Sequence, residues 1–139
     1  TLGYKPDNEK FLSGYPQDKP LPDLPYKEVI YGKSKRSFYT TDATIWVGRW
    51  GVSFAANLTP DTDTGLGGVS ESEFIEIFRE KKRARAEKEL APPMPFEVYS
   101  SLTDTDLRAI YIFLRSIEPV SNKVPDPITP DTDAFGQGT

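Results

Sequence analysis

Residues able to do chemistry are few in this chain, because its 139 residues include no histidine and no cysteine. Without imidazole it lacks the commonest general base and the commonest metal ligand. Without thiols, disulfides, thiol catalysis and cysteine-held zinc or iron–sulfur sites are excluded. The one methionine, Met94, stands between Pro93 and Pro95, which hold its loop extended and fix the direction of the sulfur. By residue type alone, a lone methionine is a flexible core filler. Asp61 and Asp63, and again Asp131 and Asp133, have the alternate spacing of calcium loops but lack the later glutamate and further oxygen ligands, so they read as turn formers. Gly32-Lys33-Ser34 has the ending of a phosphate-binding loop, yet Lys27 occupies the earlier glycine position and no βα unit surrounds it. Asn57-Leu58-Thr59 satisfies the glycosylation pattern and is followed by Pro60. No set of serines, lysines and carboxylates forms a catalytic group, and the chain reads as no enzyme.

The elements that must position these residues follow from local pattern. A net charge of -4 argues against nucleic acid as a partner, no apolar run approaches a membrane span, and no signal peptide is visible. One domain, residues 1–139, is expected, with a small aromatic core and irregular segments set by 13 prolines. Residues 1–25 read as an extended arm, with a helical turn near Asn8 to Ser13. Tyr26 to Tyr31 and Ser37 to Val47 are β-branched and aromatic enough for short strands or extended segments, and Trp46 to Leu58 is the apolar stretch that lines the core. Thr59 to Gly68 is a turn-forming loop. Ser70 and Glu73 then make a capping box for a helix with Phe74, Ile75, Ile77 and Phe78 on its apolar side. The run from Lys81 to Glu89 favours helix without a buried face. Thr103 caps a last helix, with Asp104 and Asp106 at its positive end and Leu107, Ile110, Tyr111, Leu114 and Ile117 on one face. Pro119 stops it, and the tail 120–139 reads as surface-bound or disordered.

Three blocks in order, FLSGYPQDKPLP from Phe11, WGVSFAANLTPDTDTGLGGVSESEF from Trp50, and PPMPFEVYSSLTDTDLRAIYIFLRSIEPVSNKVP from Pro92, resemble consecutive segments of bacterial periplasmic class I c-type cytochromes. They cover about half of the chain. The resemblance implies a mainly α fold, a cytochrome-c-like helical domain with long irregular proline-rich arms and little strand. It implies haem c, one-electron transfer, an exported or periplasmic location and a redox partner protein. Met94 corresponds to the axial iron ligand, and Trp50, Phe54, Asn57, Leu58, Thr59 and Tyr99 resemble residues that line or neighbour the haem crevice. The basic run Lys81, Lys82, Arg83, Arg85 and Lys88 is then a docking patch for an acidic redox partner or a solvated helix face paired with Glu80, Glu87 and Glu89. Two departures stand out: the family commonly has an aromatic residue at the position of Val69, and a Gly-containing linker in place of KKRARAEKE. The family's Cys-x-x-Cys-His motif would end close to Thr1, so this chain reads as lacking the N-terminal haem-attachment segment. It cannot by itself attach haem covalently or supply an imidazole. The alternative is a haem-free binding or structural module on a degenerate cytochrome c scaffold.

Overall fold

A computed structural model of the chain describes residues 7–33, 35–80 and 92–136. After a 3-10 turn at Asn8–Lys10 come α1 (Tyr26–Ile30), β1 (Phe38–Tyr39), β2 (Ile45–Gly48), β3 (Gly51–Phe54), α2 (Glu71–Glu80), α3 (Phe96–Ser100) and α4 (Asp104–Ser116), then a 3-10 turn at Pro130–Thr132. The strands form one antiparallel sheet in the order β1-β2-β3. The fold is therefore mixed, which corrects the expectation of a mainly α domain. The basic run 81–89 lies outside the described residues, as do the first six residues of the arm and the last three of the tail.

The sheet forms because two β-branched segments flank a two-residue turn, Arg49-Trp50, whose ends are glycines paired across the hairpin, Gly48 with Gly51. Gly51 has φ +106 and lies so close to the Ile128 carbonyl that a Cβ would collide with it, a position only glycine fills without strain. Register places Ile45 opposite Phe54 and Val47 opposite Val52. The pleat alternates faces, so these four share one side while Trp46 and Ser53, also paired, share the other. The first side packs on Tyr15, Val29 and Ile30.

Residues 26–30, expected to be extended, form α1 instead. Val29 donates its N–H to the Pro25 carbonyl and Tyr31 to that of Lys27, which buries Val29 and Ile30 against the sheet. Burial outweighs the β propensity of these residues.

The helical half matches its local signals. Ser70 Oγ accepts the Glu73 N–H at 3.3 Å and the Glu73 carboxylate accepts the Ser70 N–H at 2.8 Å, capping α2. Thr103 and Asp106 make the reciprocal pair that caps α4. Arg79 at the end of α2 donates to the carbonyls of Ser100 and Leu102 and pairs with Asp104, which fixes α3 and the start of α4 against α2. A second apolar cluster of Leu66, Val69, Phe74 and Leu114 fills the space, with Phe78, Ile110, Tyr111 and Ile117 around it. On the outer face of α4, Ile112 and Phe113 are 58% and 52% exposed.

The described part of the tail is a strap fastened along the molecule, with Asn122 its one buried residue among those described. Asn122 donates to the carbonyls of Ser13 and Tyr15. Ile128 exchanges two backbone hydrogen bonds with Val52 on the free edge of β3, and Phe135 stacks on Tyr26 with ring centroids 4.5 Å apart. Among the described residues, no helix is long and apolar enough to cross a membrane.

Candidate functional site

The segment Pro92-Pro93-Met94-Pro95 has one backbone N–H, that of Met94, because proline carries none. Carbonyls are consequently its main handles. The Met94 carbonyl accepts the Phe96 N–H at 2.8 Å, and the Pro95 carbonyl accepts those of Val98 and Tyr99 as α3 begins. At the other end, the Pro92 carbonyl accepts the Ser53 hydroxyl at 2.6 Å, and that hydroxyl accepts the Trp50 indole N–H at 3.0 Å. The Trp50 ring lies across Gly48, where a Cβ would overlap it. Met94 itself is half-buried. Trp50 and the methionine loop thus meet at one corner of the molecule, on the sheet face opposite the first cluster.

The other residues singled out in the sequence are distributed around this corner and behind it. Phe54 packs on Tyr15 in the first cluster, centroids 5.1 Å apart. Leu58 packs in the second cluster and donates its N–H to the Leu12 carbonyl. Tyr99, on α3, packs on Phe78 of α2 at 5.7 Å.

Asn57 and Thr59 are buried between the clusters. The Asn57 amide donates to Thr64 Oγ1 and to the carbonyls of Val120 and Asn122, and its oxygen accepts the N–H and the hydroxyl of Thr59. Thr59 Oγ1 in turn accepts the Val120 N–H at 3.1 Å. The polar atoms of both side chains are therefore engaged by the protein, chiefly by the strap.

Two residues that organise this region, Ser53 and Asn122, escaped the sequence reading. Ser53 carried a signal: a polar residue between Val52 and Phe54 in an apolar stretch sits where the pleat turns away from the core. Asn122 carried none, since its partners Ser13 and Tyr15 are more than a hundred residues away.

The aspartate loop serves as a turn. Asp61 Oδ1 accepts the Thr64 hydroxyl at 2.6 Å and the N–H groups of Thr64 and Asp63, and these bonds hold its carboxyl below the usual pKa. Among the described residues, no three His, Cys, Asp or Glu side chains gather as a metal site would require.

The donor chemistry can be weighed against a haem c. Covalent attachment needs thiols and the ligand opposite methionine is an imidazole, and the sequence holds neither. A half-buried thioether in a loop pinned at both ends is a donor of the type that haem iron takes. The residues present therefore offer a thioether donor and, within residues 1–139, neither an imidazole nor a thiol.

Comparison with known proteins points to the same class. Over 79 residues, 55% of the chain, the sequence is 33% identical to the cytochrome c subunit of a quinone-type alcohol dehydrogenase from Gluconobacter oxydans. It is 32% identical over 72 residues, 51% of the chain, to the cytochrome c subunit of gluconate 2-dehydrogenase from Pantoea cypripedii. It is 31% identical over 73 residues, 52% of the chain, to the fructose dehydrogenase cytochrome subunit of Gluconobacter japonicus. The chain spans 16%, 16% and 15% of the lengths of these three relatives. No family model matches it. The similarity is to cytochrome c subunits of dehydrogenases, which supports a cytochrome-c-like family for about half of the chain.

Proposed function

We propose that the chain is the methionine-bearing side of a c-type cytochrome domain, an electron-transfer component and not a catalytic one. The observation that carries this reading is the pinned, proline-flanked Met94 loop in a chain similar over half its length to cytochrome c subunits. Met94 would be the iron's thioether ligand, with Trp50, Leu58 and Tyr99 as apolar walls, while Phe54 packs on the opposite face of the sheet. Asn57 and Thr59 support those walls from behind through the strap. The cysteines and histidine that a covalently held haem needs would have to be supplied by residues other than 1–139. When bound, haem iron supplies the one-electron couple, and thioether ligation raises its potential. By analogy with the named relatives, the partner is a dehydrogenase assembly, and an exported or periplasmic setting is what the family resemblance implies.

The test is an absorption spectrum of the purified chain titrated with haem and imidazole, imidazole standing in for the missing histidine. A far-red charge-transfer band characteristic of iron–thioether bonding is expected, and Met94→Leu removes it while the far-ultraviolet dichroism is retained. An unchanged spectrum in Met94→Leu would overturn the reading. A second reading, a haem-free module on the same scaffold, draws on the full engagement of Asn57 and Thr59 by protein groups. It predicts that haem leaves no spectral trace of binding at any imidazole concentration.

A further inference from the structure

We propose that Ser53 is a positioning residue for Met94, acting through the carbonyl of Pro92. The proposal rests on Met94 being the axial ligand. Proline-rich loops have few donors, and in residues 92–95 only Met94 has an N–H. Among the described residues, the start of this loop is held by the bond from the Ser53 hydroxyl to the Pro92 carbonyl, 2.6 Å long. Its direction is fixed by chemistry. The indole of Trp50 only donates and the Pro92 carbonyl only accepts, so the hydroxyl proton of Ser53 must point at Pro92.

The anchor is also rigid. Ser53 is buried, so water does not compete freely for the bond. It lies in the middle of β3, paired with Trp46 on one side, and its neighbour Val52 is bonded to Ile128 on the other. Trp50 is held in turn by its seat on Gly48. Between the anchored carbonyl and the Met94 backbone lies only Pro93, whose ring fixes φ. A displacement at Pro92 is therefore passed on to Met94 with little backbone freedom to absorb it.

The test compares Ser53→Ala, Ser53→Thr and Trp50→Phe with the parent chain. The first readout is the rate at which hydrogen peroxide converts Met94 to its sulfoxide, followed by peptide mass spectrometry on haem-free protein. Ser53→Ala is expected to raise this rate several-fold, and Ser53→Thr, which keeps the hydroxyl, to return it towards the parent value. Trp50→Phe falls between them. Val29→Ala, which loosens the first cluster without touching the loop, serves as the control for general destabilisation and stays near the parent rate.

The second readout is the reduction potential and iron–thioether band of the haem- and imidazole-loaded chain, which shift in Ser53→Ala and recover in Ser53→Thr. A parent-like oxidation rate in folded Ser53→Ala overturns the proposal. So does an equal rise in Ser53→Ala, Ser53→Thr and Val29→Ala. If Ser53→Ala does not fold, Ser53→Cys, with its weaker donor, takes its place in the same comparison. Absence of the iron–thioether band in the parent sinks the axial-ligand reading instead, and the peroxide series still decides whether Ser53 holds the loop.

Discussion

The helical cluster around Phe74 and the sheet cluster around Ile45 are built from the chain in opposite ways. The first draws mainly on residues 66–78 and 110–117, two runs whose helices each carry their own capping box, with Leu12 and Leu58 packed against them from elsewhere. The second gathers Tyr15, Val29 and Ile30 from the arm, Ile45, Val47 and Val52 from the hairpin, and Val124, Ile128 and Phe135 from the strap. One half rests on local signals and the other on contacts between distant parts of the chain. The methionine loop is fastened to both, through Ser53 on the sheet side and through α3 and Arg79 on the helical side.

The largest effect is expected from breaking the helical half at its centre. Phe74 is buried and touches Phe78 and Tyr111 at ring separations of 5.2 and 5.5 Å. Phe74→Ala removes these contacts and leaves a cavity, costing about 4 kcal/mol. Urea unfolding followed by far-ultraviolet dichroism measures that loss. The tryptophans, Trp46 and Trp50, both lie in the hairpin region, so their fluorescence reports the sheet half separately. Coincident transitions would show one cooperative unit.

The junction comes next. Asn57 lies between the halves and its carboxamide makes hydrogen bonds to Thr59, Thr64, Val120 and Asn122. Asn57→Ala leaves buried groups without partners, at a cost of about 3 kcal/mol. It also loosens the strap, so the fluorescence midpoint is expected to fall below the dichroism midpoint. Equal shifts in both signals would mean that the strap is held by its apolar contacts alone.

The same contrast explains what the sequence disclosed. Caps and helical spacing are local, so α2 and α4 were readable from Ser70, Glu73, Thr103 and the Leu107-to-Ile117 face. The helix α1 was not, because Tyr26, Val29 and Ile30 favour strands until burial against β2 decides otherwise. Ser37 to Val47 is legible as strand or extended chain, but β3 and the turn that pairs it with β2 were not, although Gly48 and Gly51 flank that turn. The strap was invisible for a different reason: nothing near Asn122 announces partners at Ser13 and Tyr15. At the candidate site, Met94 and Trp50 are singled out in the sequence by resemblance. Ser53, which connects them, has meaning only once the pleat is known.

The smallest effect sharpens the comparison through pH. In the β1–β2 turn, Asp42 accepts the Thr44 hydroxyl at 2.9 Å and the Lys19 ammonium at 3.0 Å, which ties the arm to the sheet. Burial pushes this carboxyl's pKa up, but hydrogen bonds from Thr40, Lys19 and Thr44 together outweigh it and hold the group well below its ordinary 3.8. A folded pKa below the unfolded one means that the unfolded chain takes up the proton first as the solution is acidified. The stabilisation from Asp42 is thus complete above pH 3.8 and is lost progressively below it, towards the lower folded value. Asp42→Asn is expected to be less stable than the parent by about 1 kcal/mol at neutral pH, a modest figure because Lys19 is solvent-exposed. That gap should close as the pH falls below 3.8. Tryptophan fluorescence is the appropriate probe, since the bond braces the sheet side. A gap that stays constant with pH would mean that the Asp42 carboxylate contributes through turn geometry alone, and the arm would then owe its place to Tyr15 and its apolar neighbours.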